Sequence, residues 1–193
     1  MIEAFSNIFT AFGLSASAGL NAYLPLLIVA LLARFTNLIT LSPPYDLLTN
    51  GWVIAVTAIL LGIEVFADKI AAVDTANDII QTFVRPTAGA FLFAASNSVI
   101  NDIHPVLALT CGLLMAGGVH ATKATLRPAV TATSGGLLNP VVSTAEDAIA
   151  IALTILSILI PLLTGFLLGS VFVAILWWFV ARRKRGERTS ISS

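Results

Sequence analysis

Charge is scarce in this sequence. Only 10% of its 193 residues are Asp, Glu, Lys or Arg, where a soluble domain carries about a quarter. Hydrophobic residues make up 58%, and a mean hydropathy of +0.97 is spread along the whole length, which excludes a soluble domain with one greasy anchor. The single cysteine, Cys111, excludes an internal disulfide and, within the apolar run from Val106 to Met115, is expected to pack as a small hydrophobe. There is no Gly-x-Ser-x-Gly elbow, His-Glu-x-x-His, Walker loop or paired-cysteine motif, so no catalytic residue, cofactor or metal is expected. The two histidines, His104 and His120, lie far apart, and Asp102 with His104 reads as a polar turn. No Lys or Arg precedes the first apolar stretch, so that stretch lacks the start of a cleavable signal peptide and reads as retained.

The charge that is present is unevenly placed. The formal net charge is zero, yet Arg182, Arg183, Lys184, Arg185 and Arg188 put half of the 10 basic residues at the C-terminal end. Directly after an apolar span and the pair Trp177-Trp178, such a cluster is a topology signal and a contact for anionic headgroups rather than a nucleic-acid site. The C-terminus is therefore expected in the cytoplasm.

A crossing takes about 20 apolar residues at about 1.5 Å each. Phe12 to Ala33 and Gly51 to Ala67 approach this, separated by a loop at Ser42-Pro43-Pro44-Tyr45-Asp46 where consecutive prolines stop a helix. Thr87 to Ile100 and Pro105 to Ala121 follow. Ala148 to Ala181 would span about 51 Å as one helix and is expected to fold back near Pro161 to Gly165, the alternative being one tilted, kinked helix. This predicts an all-α polytopic transmembrane bundle of five or six spans with broken or re-entrant helices, residues 1–181, and a disordered basic tail, 182–193.

An ionisable group at membrane depth costs about 2.5 to 3.5 kcal/mol and needs a partner, water or a role. Asp74, Asp78, Gln81 and Arg85 recur at helical spacing, predicting a helix from Val73 to Val84 with one polar stripe that does not cross the bilayer. It either lies flat at the headgroups or turns its acidic face to a wet cavity. His120, Lys123 and Arg127 form a second, basic stripe. Opposite signs suggest that Asp74 and Asp78 pair with Lys123 and Arg127, as a site or as a purely structural ion network. Glu146-Asp147 before the last apolar stretch reads as acidic charge at a helix N-terminus.

Each stripe ends in Arg-Pro, at Arg85-Pro86 and Arg127-Pro128, and Ser17-Ala18-Gly19-Leu20-Asn21 is echoed by Ser134-Gly135-Gly136-Leu137-Leu138-Asn139. These echoes suggest a weak internal repeat with helix breaks at Asn21 and Asn139. Breaks in corresponding halves mark transporter sites, although runs such as Gly13 to Gly19 and Gly112 to Gly118 are more often close helix packing.

Three blocks, SASAGLNAYLPLL, ADKIAAVDTANDIIQTFVRPTAGA and GGVHATKATLRPAVTATSGGLLNPVVSTAEDA, resemble an uncharacterised bacterial membrane-protein family catalogued as domain of unknown function 4126. The resemblance runs from about Gly13 to Arg183. Ala71-Ala72 departs from the Pro-Gly of similar sequences, which makes this segment's start more helical. The resemblance brings no substrate, but it implies that the polar stripes are a shared design.

The leading expectation is a small transporter or permease of the bacterial plasma (inner) membrane for an ion, a small solute or a lipid headgroup. Its alternatives are a membrane-embedded lipid-modifying enzyme and a structural or assembly protein. The pathway residues expected are Asn21, Glu64, Asp68, Asp74, Asp78, Arg85, His120, Lys123, Arg127, Asn139, Glu146 and Asp147. The partners expected are the bilayer and a small ligand, with no nucleic acid; self-association into a homo-oligomer is left open.

Overall fold

Apolar sequence with breaks at polar or proline positions folds, among the described residues, into helices only. The computed structural model describes residues 2–96 and 104–190 as α1 (Ile2–Leu20), α2 (Tyr23–Phe35), a 3-10 turn (Tyr45–Thr49), α3 (Gly51–Ala67), α4 (Ala71–Ala95), α5 (Pro105–Ser134), α6 (Asn139–Leu159) and α7 (Pro161–Ser190). Local chemistry sets the ends. Asn50 caps α3 by accepting from the Trp52 amide at 2.9 Å, and Pro105 opens α5 behind His104, whose Nδ1 accepts from the Val106 amide at 3.3 Å. Asp102 lies outside the described residues, so His104 is a cap and its pairing with Asp102 is not addressed. Gly135 ends α5 with φ 61°, a left-handed conformation that costs glycine nothing.

Among the described residues, three helices are long and apolar enough to cross a membrane: α5, α6 and the Pro161–Trp178 part of α7; α2 and α3 are shorter apolar helices. The chain is thus a helical membrane protein. The apolar stretch from Phe12 to Ala33 divides at Asn21-Ala22, and α6 opens at Asn139, the two breaks that the echoed segments suggested. The expected segmentation changes elsewhere. The acidic stripe is not a separate short helix, because α4 runs unbroken through Arg85-Pro86 to Ala95. Pro128 is likewise carried inside α5. The last stretch does divide at Pro161. Proline has no amide to return to the carbonyl four residues back, and the Thr10 hydroxyl instead donates to that Ser157 carbonyl at 2.8 Å. Helix α7 passes the boundary drawn at residue 181 and continues to Ser190, where disorder was expected.

Helix α1 is the central post, packed on α2, α4, α5, α6 and α7, while α4 and α5 share the most extensive contact. Small residues make this possible. The core contains Ala11, Ala18, Ala22, Ala30, Ala88, Ala108 and Ala116 beside Leu14 and Leu92, and backbones approach so closely that a Cβ on Gly112 would lie 2.5 Å from the Gly89 carbonyl oxygen. Such contact lets dispersion and side-chain hydrogen bonds hold helices that lipid does not drive together. Ser15 Oγ donates to the Gly89 carbonyl at 2.8 Å, and Ser17 Oγ lies 2.8 Å from the Ala150 carbonyl and 2.7 Å from Thr154 Oγ1.

The outer faces are apolar. On α3, Trp52, Val56, Ile59, Ile63 and Phe66 are all exposed and recur at helical spacing, a lipid-facing stripe opposite the buried Glu64.

Gly112→Ala is expected to destabilise the protein by about 1 to 3 kcal/mol through overpacking. Gly118→Ala, where an added Cβ meets nothing within 4 Å, is expected to be neutral or to stabilise by up to about 1 kcal/mol. Unfolding in detergent compares the two, and equal losses would refute close approach at Gly112.

Candidate functional site

The break after α1 exposes carbonyls that no helix can satisfy, and a cation fills the gap. Lys123, on α5, donates to the Leu20 carbonyl at 3.1 Å, which places positive charge at the negative end of the α1 dipole. Its ammonium also lies 3.3 Å from Asp68 Oδ2 and 2.9 Å from Glu146 Oε2, so its three donors are matched by three acceptors. On the other side of the break, Asn21 Oδ1 accepts from the Tyr23 and Leu24 amides at 3.1 and 3.0 Å, and Nδ2 donates to Asp147 Oδ1 at 2.9 Å.

Asp68, in the turn between α3 and α4, is the centre. Its Oδ2 lies 3.5 Å from Arg85 Nη2, 3.3 Å from Lys123 Nζ and 3.4 Å from Arg127 Nη2, and Oδ1 accepts from Asn77 at 3.0 Å. Arg127 Nη2 also reaches Glu146 Oε2 at 3.0 Å, and its Nη1 lies 4.0 Å from Asp78 Oδ1. Arg85 is fully buried and contacts Glu64 Oε1 through Nη2 at 2.8 Å and Nε at 3.3 Å.

His120 completes the chain of contacts, and its partners fix its protonation. Arg85 Nη1 can only donate, so His120 Nδ1, 3.2 Å away, is the acceptor. The Thr82 hydroxyl donates to the Asp78 carbonyl at 2.7 Å, leaving its oxygen to accept from His120 Nε2 at 3.2 Å. The ring is therefore neutral, with hydrogen on Nε2.

Eleven of the expected pathway residues can be placed by side chain. Asn21, Glu64, Asp68, Asp78, Arg85, His120, Lys123, Arg127, Glu146 and Asp147 join one network. Asn139 stands apart on the same helix as Glu146, accepting from Thr131 Oγ1 at 3.1 Å. The side chain of Asp74 lies outside the described residues. Among the described residues the two stripes meet directly, Arg85 reaching His120 at 3.2 Å and Arg127 Nη1 lying 4.0 Å from Asp78 Oδ1, with Asp68, Glu64 and Glu146 joining them from outside the stripes. A cavity of about 220 Å³ lies elsewhere, against Asn7, Thr10, Leu14, Thr40, Leu92 and Ser96. Glu146 and Asp147 are not in the first turn of α6, which begins at Asn139; they are partly buried members of the network rather than partners of the helix dipole. Asn77, Thr82 and Tyr23 were missed, although Asn77 lies one turn before Gln81 and so sits beside the acidic stripe.

Among the described residues, no three His, Cys, Asp or Glu side chains are grouped to hold a metal ion. The network's chemistry is that of charge: Arg85, Lys123 and Arg127 face Glu64, Asp68, Asp78, Glu146 and Asp147. The family described as Domain of unknown function (DUF4126) matches residues 8–182. No curated protein and no solved structure matches the chain.

Removing one member strands the rest. Asp68→Ala leaves three buried cations short of an anion and is expected to cost about 3 to 5 kcal/mol, whereas Asp46→Ala, at an exposed position, should stay within about 0.5 kcal/mol. Unfolding in lipid nanodiscs measures both; a small loss at Asp68 would mean that water, not protein, neutralises the group.

Proposed function

Because the chain belongs to the family described as Domain of unknown function (DUF4126), which supplies no activity to transfer, we propose from geometry that it is a small membrane transporter or permease for an ion or small polar solute. One observation carries this reading: a broken helix, α1 to α2, presents its terminal carbonyl and its cap Asn21 to a buried network with more acids than bases. Helix ends lined by titratable groups offer polar ligands that can exchange a protein partner for a solute. Scaffolding alone would be served as well by apolar packing, since replacing buried ion pairs by hydrophobic residues is often neutral or stabilising. The membrane concerned is the bacterial plasma membrane, with the C-terminal end cytoplasmic; Trp177-Trp178 followed by the basic cluster supports that side.

Purified protein fused to solid-supported membranes should give a transient current on a jump in protons, Na⁺, K⁺, chloride, phosphate or a small amino acid. Glu146→Gln should reduce that current at least about tenfold, a loss of about 1.4 kcal/mol in the transport step. No current for any of these, combined with full activity in cells of a variant whose Lys123 and Glu146 are both made apolar, would leave the network as scaffolding.

Orientation is tested separately. A reporter fused after Ser193 should be active only if it is one that works in the cytoplasm; activity of a periplasm-dependent reporter there would overturn the assignment.

A further inference from the structure

Glu64 is 1% exposed, and its two oxygens are treated unequally. Both contacts from Arg85 fall on Oε1, while Oε2 is buried with no hydrogen-bond partner. Gln81 lies one turn before Arg85 on the same face of α4. It is 2% exposed, and its Oε1 is also a buried acceptor with no donor. The Tyr23 side chain pairs with Gln81 and faces Glu64, so the two acceptors share one buried neighbourhood, and an acceptor that has lost water without gaining a donor is costly.

The charge balance points the same way. Among the described residues Arg85, Lys123 and Arg127 are shared by four carboxylates, Glu64, Asp68, Asp78 and Glu146, and His120 is neutral by its hydrogen bonds. Asp147 is half-buried and held by Asn21. An ionised Glu64 would therefore be a further negative charge in the driest part of the network. The groups facing it are Arg85 from α4, Asp68 from the turn after α3, Lys123 from α5 and Tyr23 from α2, so among the described residues the one cation in contact with it, Arg85, is also shared with Asp68.

We propose that Glu64 is a proton-binding site: one proton, taken up from water, resides on Oε2, which donates to Gln81 Oε1 while Oε1 accepts from Arg85. A single hydrogen converts two unsatisfied acceptors into one hydrogen bond and removes the surplus charge. As a statement about resting protein this stands by itself; that the proton is the coupling ion rests on the transport reading.

Infrared spectroscopy of the full chain in lipid nanodiscs tests it. Near neutral pH the protein should show the carbonyl stretch of a protonated carboxylic acid, shifted in heavy water. The band should vanish in Glu64→Gln, persist in Asp78→Asn and Asp147→Asn, and move when Gln81→Leu removes its acceptor. Glu64→Gln, which mimics the neutral acid, should melt close to the unaltered protein. Absence of the band, its survival in Glu64→Gln, or a Glu64→Gln protein that melts far lower or fails to fold would overturn the proposal, the last because it would show that a charge was needed. A water bridging the two acceptors would give no acid band and so counts against it. The band is read without any transport, so its presence alongside absent currents would refute the transport reading alone.

Discussion

Asp68 must be neutralised from several directions at once, and the arrangement of the bundle follows from that need. A lone carboxylate in a helical membrane protein is expensive, and this one sits in a turn where α3 and α4 meet. Arg85 reaches it from α4, and Lys123 and Arg127 reach it from α5. Each cation has a second obligation: Arg85 to Glu64, Arg127 to Glu146 and Lys123 to the last carbonyl of α1. Through these pairs one carboxylate couples α1, α3, α4, α5 and α6.

That convergence is available only because the helices come close. Glycine and alanine at the contacts of α1, α4 and α5 bring backbones near enough for Ser15 to reach across to the Gly89 carbonyl. The apolar effect does little here, since lipid is as apolar as leucine, and packing with interhelical hydrogen bonds takes its place. Small residues and charges are thus two parts of one arrangement. The first sets the spacing, and the second uses it.

The network also lies beside a helix break, which separates it from an ordinary structural ion cluster. At Asn21 the chain abandons helical bonding for less than a turn; the end of α1 is met by Lys123 from α5, and the start of α2 by Asn21, itself held by Asp147 from α6. A helix end held by side chains from other helices can change partners without unfolding a helix. A group that gains or loses a proton beside such an end alters the charge that holds it. Neutral His120, wedged between Arg85 and Thr82, lies in the same chain of contacts.

Composition and spacing alone determined that this is a helical membrane protein, that Asp78 and Arg85 share a face, that Lys123 and Arg127 share another, and that the final apolar stretch divides at Pro161. Each is a local matter, decided by the solvent an apolar chain needs, the helical period or a missing amide. Which charges pair was not local. Asp78 does lie 4.0 Å from Arg127, but Asp68 and Glu146 join it as partners of the basic stripe, because contact between helices depends on approach and register that no single helix's period encodes. Likewise Pro86 and Pro128 lie inside α4 and α5, whereas Pro25, which has no amide to return to the Asn21 carbonyl, follows the break that divides α1 from α2. A proline and its missing amide are legible in the sequence, but whether a helix continues past it depends on the packing around it, which only the tertiary structure supplies.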